Sequence, residues 1–222
     1  FVKVGNLMSD ISLIDAGAPQ GTKAGPNVFK LLINDLVFKS EFVKYVDDVS
    51  VATVSSQPDD VVMLNEIANL IEWCEINGME INKSKTKEMV IYFGKKYSNL
   101  DIKPTFVNDS EIERVFSFKL LGVIVSSDLT WNEHVAYIVS KASRRIFVIQ
   151  QLLKAGTATI DILTVYCSIV RSVLEYACQV WHSVLTLQQS KEFESVQRRV
   201  MRLILHDVSY KESLQILGIE KL

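Results

Sequence analysis

The chain has 222 residues, 48% of them hydrophobic, enough to bury a substantial core as one large domain or two small ones and too apolar for a disordered chain. Its 24 Lys and Arg against 26 Asp and Glu leave a net charge of -2, so the whole molecule has no basic excess to attract nucleic acid and any basic face must be local. Three cysteines, Cys74, Cys167 and Cys178, stand far apart with no CxxC pair, which argues against a disulfide framework or a zinc site and for a reducing compartment.

No apolar run approaches the ~18 residues of a membrane span, and the opening FVKVGNLMSD is not a signal peptide. The chain starts inside a strand-like run without an initiator Met, so a fragment is expected. Phe1–Val4 and Ile11–Ile14 read as two short strands around a Gly5-Asn6 turn. The next segment, GAPQGTKAGP from Gly17 to Pro26, is too rich in Gly and Pro for helix or central strand. It is either a connector or a loop whose backbone can approach a ligand closely. Phe29, Leu32, Ile33 and Leu36 then follow helical spacing, so the loop opens a helix, whose first N–H groups would suit an anion or a nucleotide.

In FVKYVDDVSVATV, from Phe42 to Val54, apolar and β-branched residues flank Asp47-Asp48, which predicts two strands meeting at a turn with both acids at the bend. Alone, such a pair is more often an ordinary hairpin turn. Adjacent carboxylates repel, and a hard divalent cation such as Mg2+ relieves that repulsion, commonly together with substrate phosphates. A helix introduced by Ser56-Gln57-Pro58-Asp59 carries the expected buried stripe Leu64, Ile67, Ile71 and Cys74 and stops at Asn77-Gly78. Met79 with Ile81, and Met89 with Ile91 and Phe93, alternate as strands. Between them Asn82-Lys83-Ser84-Lys85-Thr86-Lys87 is either a solvated turn or a surface facing a triphosphate.

Short strands are predicted around Asn108-Asp109-Ser110, and another strand from Phe118 to Val125 that holds Leu121-Gly122, giving an α+β architecture: an antiparallel sheet with helices on one face. The pattern then turns wholly helical. Trp131 to Leu153 keeps helical spacing, Leu163, Cys167, Val170 and Leu174 mark a second helix, and Phe193, Val196, Val200 and Leu203 a third. Two domains are therefore expected, 1–126 and 127–222. Between Glu133 and Leu205 nine basic residues face five acids, so the helical unit is locally basic. Lys141 with Arg145, and Arg198 with Arg202, each share a helix face that could follow a phosphate backbone, although a solvated face is the commoner reason for such pairs. His134, His182 and His206 have no ligand-like spacing and read as ordinary helix residues.

Taken together, Gly17-Ala18-Pro19-Gln20-Gly21-Thr22-Lys23-Ala24-Gly25-Pro26, Ile33-Asn34-Asp35-Leu36, Tyr45-Val46-Asp47-Asp48, Ile81-Asn82-Lys83-Ser84-Lys85-Thr86 and Lys119-Leu120-Leu121-Gly122 resemble successive motifs of a reverse transcriptase of the non-LTR, LINE type. Leu129–Val135, Leu174–Ala177 and Val180-Trp181-His182 resemble the segment that follows the palm in the same elements. The resemblance implies an RNA-directed DNA polymerase: a partial palm with primer-grip strands over 1–126 and a thumb-like helical unit over 127–222. It implies that Asp47 binds the catalytic metals with support from Asp48, and that two Mg2+ ions serve the intact enzyme. Pro19, Gln20, Gly21 and Tyr45 would meet nucleotide and template, Lys85 would assist pyrophosphate departure, and Leu121-Gly122 would grip the primer.

The implied partners are an RNA template, a DNA primer and dNTP, with Lys141, Arg145, Arg198 and Arg202 along the nucleic-acid backbone, and the implied location is nucleus or cytoplasm. The family's other catalytic Asp lies upstream of the PQG loop and the fingers precede it, so the 222-residue chain alone is expected to be inactive. Thr22, Ala24 and Val46 replace the more usual Ser, Leu and Ala. A catalytically dead, nucleic-acid-binding remnant is the alternative.

Overall fold

A computed structural model describes residues 3–11, 23–55, 61–93 and 102–222. The chain divides into two compact units, Phe1–Glu88 with Phe93–Arg114, and Met89–Tyr92 with Val115–Leu222. Both helices and short strands are present, so the α+β class holds. Among the described residues the strands form separate two-stranded pairs where one antiparallel sheet was expected. No helix of the described residues is long and apolar enough to cross a membrane.

In the first unit, β1 (Lys3–Val4) and β2 (Leu7–Met8) close over Gly5, whose φ of 60° is one that glycine adopts without penalty. The second strand expected at Ile11–Ile14 is not seen: Ile11 is irregular, and the rest of it lies outside the described residues. Helix α1 (Gly25–Ile33) begins with Pro26 in its first turn, where a missing N–H costs nothing, and buries Ile33. Leu36 and Phe38 follow it into the core, whereas Leu32 lies exposed. Strands β3 (Glu41–Tyr45) and β4 (Asp48–Ala52) pair antiparallel from Glu41–Ala52 to Tyr45–Asp48. They set Phe42, Val49 and Val51 against the same core, with Leu70 and Trp73 from α2 (Val61–Ile76). An isolated hairpin is marginal in water, so this helical backing is what holds β3–β4.

The stripe expected on α2 holds in part: Cys74 is buried and Ile67 and Ile71 are half-buried, but Leu64 is exposed, and Glu66, Leu70 and Trp73 join the buried side. Glu66 takes a place that apolar counting skips because it is satisfied: its Oε1 accepts from the Ser40 backbone N–H and hydroxyl, each at 2.7 Å. The Ser40 hydroxyl holds the Glu66 carboxyl below its ordinary range against the opposing effect of burial. Burial pushes the Cys74 thiol up, consistent with a core cysteine.

Neither Met79–Ile81 nor Met89–Phe93 forms a strand. The only pairing there among the described residues is a parallel contact of β5 (Lys87–Glu88) with β8 (Glu113–Arg114), beyond the small hairpin β6 (Phe106–Val107) and β7 (Ser110–Glu111). Charged cross-links take the place of alternating apolar packing: Lys87 to Glu113 at 2.5 Å, and Arg114 to Glu88 at 2.7 Å.

The second unit is built on α3 (Asn132–Lys154), which buries Val135, Ile138, Ala142, Ile146 and Ile149 along one face. Packed on it are the hairpin β9 (Ser117–Leu120) and β10 (Val123–Ser126), then α4 (Thr159–Val165), α5 (Ser172–Leu174), α6 (Cys178–Trp181) and α7 (Leu187–Ile204), with α8 (Tyr210–Leu217) against α7. Helices α7 and α8 both open on capping boxes, Thr186 with Gln189 and Ser209 with Glu212. A π-turn over Tyr166–Arg171 joins α4 to α5.

That π-turn corrects the second predicted helix. Its extra residue rotates everything N-terminal to it, so the buried positions are Ile162 and Tyr166, and Cys167 is exposed. A buried polar network closes the far end. Tyr166 donates to Gln197 at 2.5 Å, Gln197 donates to Tyr210 and to the Glu220 carbonyl, Arg171 reaches the same carbonyl at 2.9 Å, and Tyr210 donates to Glu194. Burial, then the Glu194 hydrogen bond, pushes the Tyr210 phenol up to about 12.

Candidate active site

The two acids stand where the pattern of FVKYVDDVSVATV puts them. Asp47 occupies the two-residue turn between β3 and β4, Asp48 is the first residue of β4, and both are exposed. Tyr45 is the register partner of Asp48. The other turn residue, Val46, has φ 56°, a left-handed conformation that a β-branched side chain strongly disfavours. Such local strain persists only where the surroundings enforce it and is concentrated at functional sites.

Three side-chain contacts hold the base of this hairpin. Lys44, on β3, donates through Nζ to the carbonyls of Ile33 at 2.8 Å, Asn34 at 3.3 Å and Leu36 at 2.9 Å. These carbonyls, at and just beyond the end of α1, lack helical partners, and a lysine there satisfies them and complements the helix dipole. Trp73 donates through Nε1 to Asp35 at 2.9 Å, and Asn69 donates to the Val37 carbonyl at 2.9 Å. The Ile33–Leu36 motif and the Tyr45–Asp48 motif are thus one mechanical assembly. Lys44 was missed in the sequence. Its signal was a lysine in phase with the apolar positions Phe42 and Val46.

Pro19, Gln20 and Gly21 lie outside the described residues, and of the glycine-rich segment only its end is seen, Gly25 and Pro26 opening α1. Lys85 is exposed on the turn 83–85, where Asn82 Oδ1 accepts from the Lys85 backbone N–H at 3.2 Å and the Ser84 hydroxyl at 2.7 Å. Its neighbour Lys83 donates to the Asn108 carbonyl and the Ser110 hydroxyl.

In the second unit, Leu121 and Gly122 form the turn of the β9–β10 hairpin with φ 47° and 91°. Tyr176 secures that turn. Its hydroxyl donates to the Leu121 carbonyl at 2.8 Å, and its ring lies so close to Gly122 that a Cβ there would stand 3.1 Å from Cε1. Both residues came from separate stretches of the resemblance.

The four basic candidates differ. Arg145 is half-buried and donates to the Ile169 carbonyl, inside the π-turn, at 2.5 Å. Lys141 lies 5.7 Å from the Tyr137 ring centroid, Arg198 stacks 5.0 Å from the Tyr210 ring centroid, and Arg202 is exposed. His134 is no ordinary surface residue of its helix. It is fully buried, its Nδ1 accepts from the Ile124 backbone N–H at 3.2 Å, and its Nε2 has no hydrogen-bond partner between Trp131 and Trp181.

Two adjacent exposed carboxylates suit a hard divalent cation that keeps waters and shares its remaining positions with substrate phosphates. Among the described residues no group of three or more His, Cys, Asp and Glu is gathered to hold a metal.

Comparison with known proteins adds to this geometry. The family described as reverse transcriptase (RNA-dependent DNA polymerase) matches residues 4–125, which takes in the turn at Asp47 and the turn at Gly122. The chain is 25% identical over 202 residues to "Probable RNA-directed DNA polymerase from transposon X-element" of Drosophila melanogaster, covering 86% of this chain and 22% of that protein. It is 26% identical over 189 residues to the RNA-directed DNA polymerase from mobile element jockey of Drosophila funebris, covering 78% of this chain and 20% of that one. It is also 24% identical over 147 residues to a Pol polyprotein from type-1 retrotransposable element R1 2 of Nasonia vitripennis, at 62% and 36% coverage. The chain thus spans only a small part of these relatives' length. No solved structure matches it at comparable significance. With more than half of its residues matched, and with the paired acids carried on an exposed hairpin turn, the chain belongs to the reverse transcriptase (RNA-dependent DNA polymerase) family.

Proposed function

We propose that the chain is the palm and thumb portion of the polymerase of a non-LTR retrotransposon, with residues 1–126 serving as palm and primer grip and 127–222 as thumb. The observation that carries the reading is the exposed Tyr45–Asp48 turn, held in a left-handed bend at Val46 and anchored by Lys44. Asp47 and Asp48 would hold Mg2+, together with a further carboxylate and the substrate's phosphates. When bound, the two ions supply activation of the primer 3′-hydroxyl and stabilisation of the leaving pyrophosphate. Pro19, Gln20, Gly21 and Tyr45 would line the nucleotide and template, and Lys85, exposed on its turn, would meet the departing pyrophosphate.

Leu121-Gly122 would orient the primer end, with Tyr176 fixing the turn from behind. Base choice comes from pairing with an RNA template, so the protein reads backbone and duplex shape. Arg145 is committed to the Ile169 carbonyl, which leaves Lys141, Arg198 and Arg202 to follow phosphates.

Manganese, a paramagnetic stand-in for magnesium, tests the metal assignment. In the chain mixed with primed RNA template and dNTP, Mn2+ is expected to broaden the amide signals of Val46 to Val49, and the double variant Asp47→Asn, Asp48→Asn to lose that broadening. Broadening centred elsewhere, or unchanged in the double variant, would refute the assignment.

A further inference from the structure

Strand β9 places Lys119 two residues before the Leu121-Gly122 turn. Its Nζ donates to the Tyr137 hydroxyl at 2.8 Å and lies 4.5 Å from the same ring's centroid. One turn along α3 from Tyr137, the ammonium of Lys141 approaches that ring to 5.7 Å. Two like charges are therefore gathered around one half-buried phenol, each within a Debye length of about 8 Å of its ring at physiological salt. Such a pair repels itself unless something negative compensates. Among the described residues neither lysine makes an ion pair, and the leading charges acting on the Tyr137 phenol are those of Lys119 and Lys141. The Lys119 hydrogen bond, with both ammonium charges, holds that phenol below its ordinary range, as expected of a locally uncompensated positive field.

The aromatic ring does two things here. It gives each ammonium a favourable face, and it keeps both heads at fixed positions on strand and helix where free lysines would wander. The result is a preorganised cationic pair with open donors, next to a tight β-turn and on the solvent side of the hairpin. Lys141 was read from the sequence as a backbone contact and Lys119 only as the first residue of a motif; folding brings the two together around Tyr137.

We propose that Lys119, Tyr137 and Lys141 form a phosphodiester-binding site that clamps the backbone of a DNA-primed RNA template beside the Leu121-Gly122 turn. This rests on the polymerase reading above, and names where the nucleic acid is gripped. A nucleic-acid backbone suits the site because successive phosphodiesters, each carrying one negative charge, can meet one ammonium group apiece, and its sequence independence matches a protein that leaves base choice to pairing.

The test is the salt dependence of binding of a fluorescent DNA-primed RNA template to the 222-residue chain. Each neutralised phosphate contributes a slope of about -0.7 to -0.9 in log K against log salt. The double variant Lys119→Gln, Lys141→Gln is expected to lower the magnitude of the slope by about 1.4 to 1.8 and to weaken binding roughly tenfold near physiological salt. Lys119→Arg, Lys141→Arg keeps the charges and should keep the slope. A control pair on exposed positions of the same unit, Lys154→Gln, Lys221→Gln, should leave slope and affinity near the wild-type values. Thermal melting verifies that each variant is folded; if the double glutamine variant melts early, Lys141→Gln alone should still reduce the slope by about 1. Wild-type chain that fails to bind primed template overturns the polymerase reading and the site with it. Wild-type binding with an unchanged slope in the glutamine variants, or an equal loss in the control pair, overturns the site alone.

Discussion

At the scale of single residues, Val46 and His134 carry the sharpest consequences. Val46 sits in a conformation that costs a β-branched residue of order 1–3 kcal/mol, and its side chain is exposed, so little packing offsets the strain. Val46→Gly should therefore stabilise the hairpin by about 1 kcal/mol after glycine's own entropic cost, read as a higher urea midpoint for the first unit. Unchanged or lowered stability would mean that the bend is not strained. His134 makes the opposite kind of prediction. Burial lowers its affinity for a proton, and its Nδ1 already accepts from Ile124, so the folded state holds the neutral ring. The unfolded chain binds the proton more readily, so stability contributed by the neutral ring is complete above the ordinary histidine value of 6.5 and falls as pH drops below it. His134→Gln should flatten that acid-side decline in a melting series, even while it lowers stability at neutral pH. Sequence spacing revealed neither role, because a backbone bend and a fully buried ring depend on what lies across from them.

Among the elements, the hairpin at Asp47 was legible because alternating apolar residues around a turn leave few other arrangements, whereas Phe118 to Val125, expected as one strand, folds back at Leu121-Gly122 into β9 and β10. Helices α3 and α7 were legible too, since their apolar residues recur every three or four positions for many turns. What failed has a common cause. Helical period counting assumes 3.6 residues per turn, and the π-turn at Tyr166–Arg171 breaks that phase, moving burial from Cys167 to Tyr166. Apolar alternation around Ile91 predicted a strand, yet the pairing that forms nearby is held by Lys87, Glu88, Glu113 and Arg114, which such a scan ignores. The β9–β10 turn offers an element-level test. Gly122→Ala puts a Cβ 3.1 Å from Tyr176 Cε1 and forces φ 91° on an L side chain, so a loss of about 1–2 kcal/mol is expected. Tyr176→Phe keeps the ring and loses only the hydrogen bond to Leu121, at a cost of about 1 kcal/mol. Equal effects of the two variants in denaturant unfolding would show that the steric fit of the turn matters no more than the hydroxyl.

For the whole molecule, the two units differ in how much they bury. Among the described residues, sixteen buried apolar residues form the core of the second unit and three form that of α1, β3 and β4. Amide exchange should follow this difference: Ile146 and Val200 protected longest, and Val43 and Ser50 on the hairpin exchanging well before them. Hairpin amides as slow as those of α3 would contradict it. The uneven burial fits the proposed palm role, in which the hairpin would receive metal and nucleotide while the helical unit holds its own shape. The central claim remains that Asp47, on the turn, is part of the polymerase centre. It is tested most directly by single-nucleotide incorporation on a primed RNA template, using the jockey polymerase with its matching segment replaced by this chain. The wild-type chimera should extend the primer, Glu41→Gln on the same hairpin should change the rate little, and Asp47→Asn should slow it by about a thousandfold or more. A chimera that binds primed template without extending it, or that extends it equally well with Asn at position 47, would contradict the account.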